Sequence, residues 1–178
     1  MKEISLHILD LCINSIEANA NLIKIIIEEN LGLEILKITI EDDGCGMAEE
    51  ILENATKPFY TTKNGRNRGL GIPLVKEYVS NNDGNFYIHS KKDVGTCVVF
   101  TFKNDNIDIA PLGNIGETIA TLLNYNAKIN ILYSHTKNGA KFLFDSRNIR
   151  KVTGNGSIND PGVLLWIKEY INTNISRL

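Results

Sequence analysis

Three short segments in a fixed order constrain this chain more than any other feature of its sequence. Residues 10–18 have the spacing of a helix with a polar stripe, and residues 42–47 form a glycine-containing turn directly after a strand-like run. Residues 58–63 and 68–73 then supply a polar loop and a glycine-opened helix start. Each segment alone has an ordinary explanation. Together they provide acidic side chains, an amide and converging backbone N–H groups, which suit a hydrated metal ion and phosphate.

The composition is that of an ordinary globular protein and excludes several classes. The 178 residues carry a net charge of −2, with 43% hydrophobic and 22% charged residues, so no basic excess indicates a nucleic-acid partner. No apolar run approaches the roughly 18 residues of a membrane span, and the N-terminus lacks the pattern of a signal peptide. The three cysteines have no C-x-x-C spacing, which is typical of free thiols. We therefore expect a cytoplasmic protein with no nucleic-acid, membrane or zinc contact.

Hydrophobic periodicity and turn signals predict an alternation of helices and strands along the whole chain. Runs of β-branched residues indicate strands, and Asn138-Gly139 predicts a hairpin between two of them. The predicted helices cover residues 4–20, 48–56, 71–81, 112–124 and 161–173. The predicted strands cover residues 22–29, 35–41, 86–90, 96–102, 128–134 and 140–144, and residues 57–70 are predicted to form a loop.

A cluster of polar turn-forming residues at 104–108 follows a finished strand and is the best candidate for a domain boundary. It divides the chain into a domain at 1–103 and a C-terminal extension at 104–178, with a predicted αββα order. The extension is expected either to pack on the sheet or to build a surface for a partner.

The first helix carries polar residues on one narrow stripe. At about 100° per residue, five of them fall within roughly 80° of arc. They are His7, Asp10, Asn14, Glu17 and Asn21. One interpretation is a solvated stripe on an amphipathic helix. The other is a stripe that faces a cleft, because apolar residues flank it on both sides. In that case, a carboxylate and an amide one turn apart suit a hydrated Mg²⁺.

Two glycine-containing turns each have an ordinary and a functional interpretation. The turn at 42–46 resembles a dinucleotide-binding loop, but that fingerprint needs a small residue where Glu49 stands. The ordinary alternative is a plain strand-to-helix turn. The second turn, Gly69-Leu70-Gly71, precedes a helix. Glycine there lets backbone amides converge on a phosphate, and the helix dipole favours its negative charge.

Taken together, the three segments resemble the motifs of the GHKL nucleotide-binding fold, which gyrase, heat-shock chaperones, histidine kinases and MutL share. The resemblance covers about residues 1 to 103 and is closest to the ATPase domain of histidine kinases. It implies an α/β two-layer sandwich of the Bergerat type, in which helices cover one face of a mixed, mostly antiparallel sheet. ATP or ADP with Mg²⁺ would lie between the helices and a lid.

The resemblance also implies roles for individual residues. Asn14 would bind Mg²⁺ through its side chain, and Asp42 would accept a hydrogen bond from the adenine amine. Gly44 and Gly46 would let the backbone approach the base, and the Thr96 hydroxyl would support the adenine-binding carboxylate. The other nucleotide-binding positions that it implies are Met47, Thr61, Thr62, Lys63, Arg68, Gly69, Leu70, Gly71 and Ile72.

Some positions depart from the family pattern or leave alternatives open. Asn67 stands where the second glycine box usually begins with Gly, and Asn tolerates a left-handed backbone. Asp10 stands where the hydrolysing members carry a Glu that orients or activates water. Because Asp is one methylene shorter, the sequence supports ATP binding better than ATP hydrolysis. In the lid, Arg66 either meets a phosphate or remains solvated.

Three functions remain open: an ATPase switch, a protein kinase directed at histidine or serine, and a non-hydrolysing ATP sensor. Only six residues precede His7, so the sequence does not favour a self-contained histidine kinase with its own phosphoacceptor hairpin. The chain also resembles small stand-alone ATP-binding proteins of anaerobic bacteria, which are associated with operons for iron hydrogenases and flavin–iron–sulfur subunits. That resemblance implies a regulatory protein whose hydrogenase-related or signalling partner binds through residues 104–178.

Overall fold

The computed structural model describes residues 3–57, 71–103, 110–153 and 157–178. Its helices are α1 (Ile4–Glu17), α2 (Glu49–Ala55), α3 (Gly71–Asn81), α4 (Ile115–Tyr125), α5 (Ser146–Thr153) and α6 (Pro161–Ile175). Its strands are β1 (Leu22–Asn30), β2 (Ile35–Asp42), β3 (Asn85–Lys91), β4 (Gly95–Lys103), β5 (Asn130–Lys137) and β6 (Ala140–Asp145). Every predicted element lies within a few residues of an observed one. The predicted loop at 57–70 lies outside the described residues, apart from residue 57.

The six strands form one mixed sheet in the order β3-β4-β2-β1-β5-β6. All neighbouring strands run antiparallel except β1 and β5, so the predicted fold class is confirmed. The alternation of side chains along each strand explains the two faces of the sheet. On β1, for example, Ile25 is fully buried beneath the helices. On the opposite face, Lys24 forms an ion pair with Glu41 at 2.7 Å.

Helices cover one face of the sheet and share its hydrophobic core. Buried residues of α1, α3, α4 and α6 pack together with the inward side chains of the strands. In α1 the apolar residues recur every three or four positions, so that Ile4, Ile8 and Leu11 all reach this core. The same helix therefore presents its remaining polar face toward α3. Among the described residues, no helix is long and apolar enough to cross a membrane.

The C-terminal segment is built into the same sheet. Strand β5 pairs in parallel with the central strand β1, and β6 continues from it as an edge strand. The strands of this segment therefore extend the sheet instead of packing on it, and the expected surface for a partner stays a prediction. The predicted boundary at 104–108 lies outside the described residues, and the division into 1–103 and 104–178 stays a prediction.

The C-terminal segment contains one helix more than expected, α5 (Ser146–Thr153). Its sequence is too polar to predict a helix. In the structure, Ile149 is its one apolar residue that packs against the core. Contacts with the rest of the fold hold it instead. The Arg150 guanidinium donates to the carbonyl oxygens of Ala127 and Ile129, both at 2.6 Å. The Ser146 hydroxyl accepts the N–H of Ile131 at 2.8 Å.

Candidate functional site

The Asp42 carboxylate, at the end of β2, is the centre of the candidate site. Its Oδ1 accepts hydrogen bonds from the N–H groups of Gly44 at 2.9 Å and Thr96 at 3.2 Å. Its Oδ2 accepts one from the buried Ser15 hydroxyl at 2.6 Å. The α1 helix, the turn after β2 and the start of β4 thus fix this carboxylate from three directions.

The same contacts leave Asp42 able to bind one more donor. An ionised carboxylate offers about four acceptor positions, two on each oxygen. The N–H groups of Gly44 and Thr96 occupy both positions on Oδ1, and Ser15 occupies one on Oδ2. Among the contacts of the described residues, one acceptor position on Oδ2 therefore stays free. Asp42 is half-buried, so a ligand donor can reach it.

Thr96 supports Asp42 differently from the expected arrangement. Its backbone N–H, rather than its hydroxyl, donates to the carboxylate. The hydroxyl lies 2.8 Å from the Ser90 hydroxyl, which in turn accepts the N–H of Met47 at 2.8 Å. Ser90 is buried and also donates to the carbonyl of Gly95. This serine, which belongs to none of the sequence motifs, therefore joins the turn after β2 to the β3–β4 hairpin.

The glycines of the site approach protein backbone very closely. A Cβ atom on Gly95 would lie 1.9 Å from the Asp42 carbonyl oxygen, and one on Gly46 would lie 2.0 Å from the carbonyl oxygen of Lys91. One on Gly44 would lie 2.9 Å from the Ala18 carbonyl oxygen. These glycines let the turn after β2 lie directly against α1 and the β3–β4 hairpin. The close approach of the backbone at Gly44 and Gly46 to a nucleotide base stays a prediction.

Asp43 has a structural role that its sequence position did not reveal. Its Oδ1 accepts the N–H groups of Asn21 and Leu22 at 2.7 and 2.8 Å. The carboxylate thereby holds the α1–β1 turn beside the end of β2. The carbonyl oxygen of an Asn side chain could accept the same two N–H groups, so either Asp or Asn can serve at position 43.

Asp10, Asn14 and the start of α3 lie together at one end of the α1–α3 contact. A Cβ atom on Gly71, the first residue of α3, would lie 3.1 Å from the side-chain nitrogen of Asn14 and 4.0 Å from the Cβ of Asp10. Both side chains are half-buried. The positive end of the 11-residue helix α3 therefore faces a carboxylate and an amide, an arrangement that suits a phosphate together with its metal ion.

The donor set at this position fits Mg²⁺ held jointly by protein and phosphate. Mg²⁺ prefers oxygen ligands and usually keeps several waters, so it needs only one or two protein oxygens when a phosphate is present. Asn14 can supply an amide oxygen to the ion, and the Asp10 carboxylate lies one helical turn earlier on α1. Bound there, the ion would neutralise phosphate charge.

Unlike Asp10 and Asn14, His7 occupies a closed position on the polar stripe of α1. Its side chain is buried, and its ring stacks on Tyr78 of α3 with centroids 4.7 Å apart. Burial lowers the pKa of His7 to about 4, so the imidazole is neutral at physiological pH. Neither ring nitrogen has a hydrogen-bond partner among the described residues. The stripe therefore divides into a buried part at His7 and an accessible part at Asp10 and Asn14.

Burial raises the pKa of Asp10 above the ordinary value of an aspartate. The neutral, protonated form of Asp10 is therefore the form that the folded state favours. Its contribution to the free energy of unfolding is fully present at pH values below the pKa of the unfolded chain, and it is lost as the pH rises through the pKa of the folded protein. We therefore expect Asp10→Asn to increase the free energy of unfolding at neutral pH by up to about 1 kcal/mol. Urea unfolding should show no such increase at a pH below the ordinary carboxyl pKa. An equal gain at both pH values would contradict a charge effect.

Several expected nucleotide-binding positions lie outside the described residues. They are Thr61, Thr62, Lys63, Arg68, Gly69 and Leu70. Of the described positions, Asp42, Gly44, Gly46, Met47 and Thr96 meet around the end of β2, whereas Asn14, Gly71 and Ile72 lie where α1 meets α3. Ser15 links the two groups, because it follows Asn14 in α1 and bonds to Asp42.

The sequence of this chain matches a known protein family over more than half of its length. Residues 2–106 match the family described as "Histidine kinase-, DNA gyrase B-, and HSP90-like ATPase". The match covers more than half of the chain and includes α1, the turn after β2, α3 and the β3–β4 hairpin. The chain belongs to this family, the GHKL superfamily of ATP-binding domains.

Curated relatives match over a shorter part of the chain. Sporulation kinase C of Bacillus subtilis (strain 168) is 37% identical over 71 residues, which are 39% of this chain and 16% of that protein. The Non-motile and phage-resistance protein of Caulobacter vibrioides is 34% identical over 73 residues, which are 38% of this chain and 9% of that protein. The chain thus corresponds to a small fraction of these relatives.

A solved structure shares the fold over most of the chain. It is the N-terminal domain of a DNA repair protein, with a TM-score of 0.57 and 18% sequence identity. The likeness covers 89% of this chain and 59% of that one. Because this coverage exceeds the family match, the shared fold extends into the C-terminal segment.

Proposed function

We propose that this protein binds Mg-ATP and acts as a regulatory switch in the cytoplasm, through slow ATP hydrolysis or phosphoryl transfer to a protein. The observation that carries the proposal is the geometry of Asp42. Three protein donors hold its carboxylate, and one acceptor position on Oδ2 stays free among the described contacts. Adenine presents an amine at C6, whereas guanine presents a carbonyl oxygen, so this acceptor would select adenine.

The phosphates would lie at the other end of the site. The N-terminus of α3 at Gly71 would meet the phosphates, and Asn14 beside it would bind Mg²⁺. Ile72 and Met47 would line the nucleotide. In this proposal, the segment between Thr61 and Arg68, which lies outside the described residues, forms the lid. Lys63 and Arg68 would donate hydrogen bonds to the phosphates.

The alternative is an ATP or ADP sensor that does not hydrolyse its ligand. The observation that favours it is the side chain at position 10. Asp10 is one methylene shorter than a glutamate, so its carboxyl group extends less far into the site. A short carboxyl group has to reach the attacking water before its pKa matters. In this alternative, the bound nucleotide would change the affinity for a partner protein, signalling or hydrogenase-related, that binds through residues 104–178.

Incubation of the purified protein with γ-labelled ATP and Mg²⁺ separates the two functions. For a switch enzyme, we expect slow release of labelled phosphate or slow labelling of protein, and Asp10→Asn should abolish it while calorimetry shows unchanged ATP binding. Intact ATP after overnight incubation, with neither free phosphate nor labelled protein, would favour the sensor. Failure to bind ATP at all would overturn the whole proposal.

The metal assignment leads to a separate prediction. Asn14→Ala should leave metal-free binding of ATP largely intact and remove the gain in affinity that Mg²⁺ brings, because this amide is assigned to the ion and not to the base. Calorimetric titrations with and without Mg²⁺ measure that gain. Asn21→Ala, the same change beyond the end of α1, serves as the control and should keep the gain. An unchanged Mg²⁺ dependence in Asn14→Ala would contradict the assignment.

A further inference from the structure

Strand β6 leaves a row of backbone groups unpaired at one edge of the sheet. Within the described parts of the chain, only β5 pairs with it. The two strands join through a two-residue turn, Asn138-Gly139, in which both residues have positive φ angles of 49° and 88°. The pair that closes such a turn exchanges both of its backbone hydrogen bonds, and the bonding then alternates along the ladder. The N–H and C=O groups of Lys141 and Leu143, and the N–H group of Asp145, therefore point away from the sheet.

The surface around this edge is apolar on both sides of the strand. On the open face of the sheet, Leu143 is 57% exposed at the middle of the strand. On the helical side, buried Phe142 contacts Tyr170 of α6 with ring centroids 5.8 Å apart. Tyr170 in turn stacks on Trp166 at 4.9 Å, and both rings are substantially exposed. Native edge strands are usually protected by charge, proline or a bulge, yet the centre of β6 has none of these.

We propose that β6 pairs antiparallel with β6 of a second copy of this chain, about a two-fold axis at Leu143. The pairing would join the two six-stranded sheets into one continuous sheet. It would bury Leu143 against its symmetry mate and bring the two Trp166–Tyr170 stacks close to the new interface. This inference concerns assembly and does not depend on the proposed nucleotide chemistry.

Charge and hydrophobicity select this register among the neighbouring ones. With the axis at Leu143, Lys141 faces Asp145 of the second copy, and Leu143 faces Leu143. An axis at Phe142 would place Lys141 opposite Leu143, and an axis at Phe144 would place Leu143 opposite Asp145. The Arg147 guanidinium lowers the pKa of Asp145, so this carboxylate is ionised at neutral pH. Lys141 of the second copy would join that ion pair.

The other edge of the sheet is less suited to self-pairing. A two-fold axis at Ile88, the centre of β3, would place Tyr87 opposite His89 and Asn85 opposite Lys91. That register contains no pair of opposite charges and no pair of apolar side chains on the open face. When each strand pairs about its centre, the edge at β6 is therefore more self-complementary than the edge at β3.

Sedimentation velocity of the full chain over a range of concentrations tests the dimer. We expect a reversible species of twice the 19.8 kDa chain mass. Leu143→Lys should raise the dissociation constant of the dimer by about tenfold or more, because each lysine would face its own symmetry mate. Val152→Lys is the matched control, since Val152 is 87% exposed and lies on α5 instead of on the paired strand β6. It should leave the dissociation constant unchanged.

Amide hydrogen exchange provides a second, independent readout. In the monomer the N–H groups of Lys141, Leu143 and Asp145 should exchange rapidly, and in the wild-type dimer all three should become protected. In Leu143→Lys they should stay rapid at concentrations that protect the wild type. A chain that remains monomeric at every concentration would overturn the proposal, and so would a dimer in which these amides stay unprotected. A partner protein that binds this edge in place of a second copy would give the monomeric result.

Discussion

Asp42→Asn is expected to weaken ATP binding by about 1–3 kcal/mol, because a hydrogen bond between adenine and a charged acceptor is lost. Two backbone N–H groups already point at Oδ1, so the new NH₂ group would have to take the place of Oδ2. There it would present a donor to the adenine amine. The same donor would suit the carbonyl oxygen of guanine, so the preference for adenine should disappear.

Isothermal titration calorimetry with ATP and GTP measures both effects. Asp43→Asn is the matched control, because it makes the same chemical change one residue later and keeps a side-chain acceptor for Asn21 and Leu22. We expect it to bind ATP as the wild type does. Equal affinity of the wild type for ATP and GTP would show that Asp42 does not read the base.

Gly95→Ala is expected to lower the free energy of unfolding by more than about 3 kcal/mol. Two costs combine at this position. The residue has a φ of 137°, which L-amino acids rarely adopt, and its new Cβ would lie 1.9 Å from the Asp42 carbonyl oxygen. That contact joins the β3–β4 hairpin to the end of β2. A shift of the hairpin away from β2 would therefore also move the Asp42 carboxylate. The remaining folded protein should bind ATP more weakly.

Gly139→Ala separates the two costs. Gly139 also has a positive φ, at 88°, but a Cβ added there would meet nothing within 4 Å. Its substitution should cost only the about 1–2 kcal/mol of a left-handed backbone. Urea unfolding of both variants gives the difference. If Gly95→Ala were no more destabilising than Gly139→Ala, the close packing of the hairpin against β2 would be contradicted.

The type and order of most elements could be predicted because they depend on local patterns. The β-branched run of β1 and the Asn138-Gly139 turn act within a few residues of themselves, so the sequence indicates them directly. The polar helix α5 could not be predicted in this way. Its stability comes from Arg150 and Ser146, whose partners lie more than a dozen residues away in the chain.

The candidate site was predictable in its residues but not in its bonds. Asp42 and Thr96 were identified from motifs, yet only the fold shows that Thr96 acts through its N–H group. Ser90 carried no motif and became visible only because the hairpin brings it to Met47. His7 had the spacing of the polar stripe, but the packing of α3 against α1 buries it beneath Tyr78.

By itself, the sequence determined the type and order of most helices and strands and which residues resemble the motifs of the GHKL family, because these properties depend on neighbours in the chain. Only the tertiary structure decided that β5 lies beside β1 and that β6 remains an edge. It alone decided that three elements hold the Asp42 carboxylate with one acceptor position free among the described contacts. Contacts between distant residues depend on how the whole chain packs, and no local pattern records them.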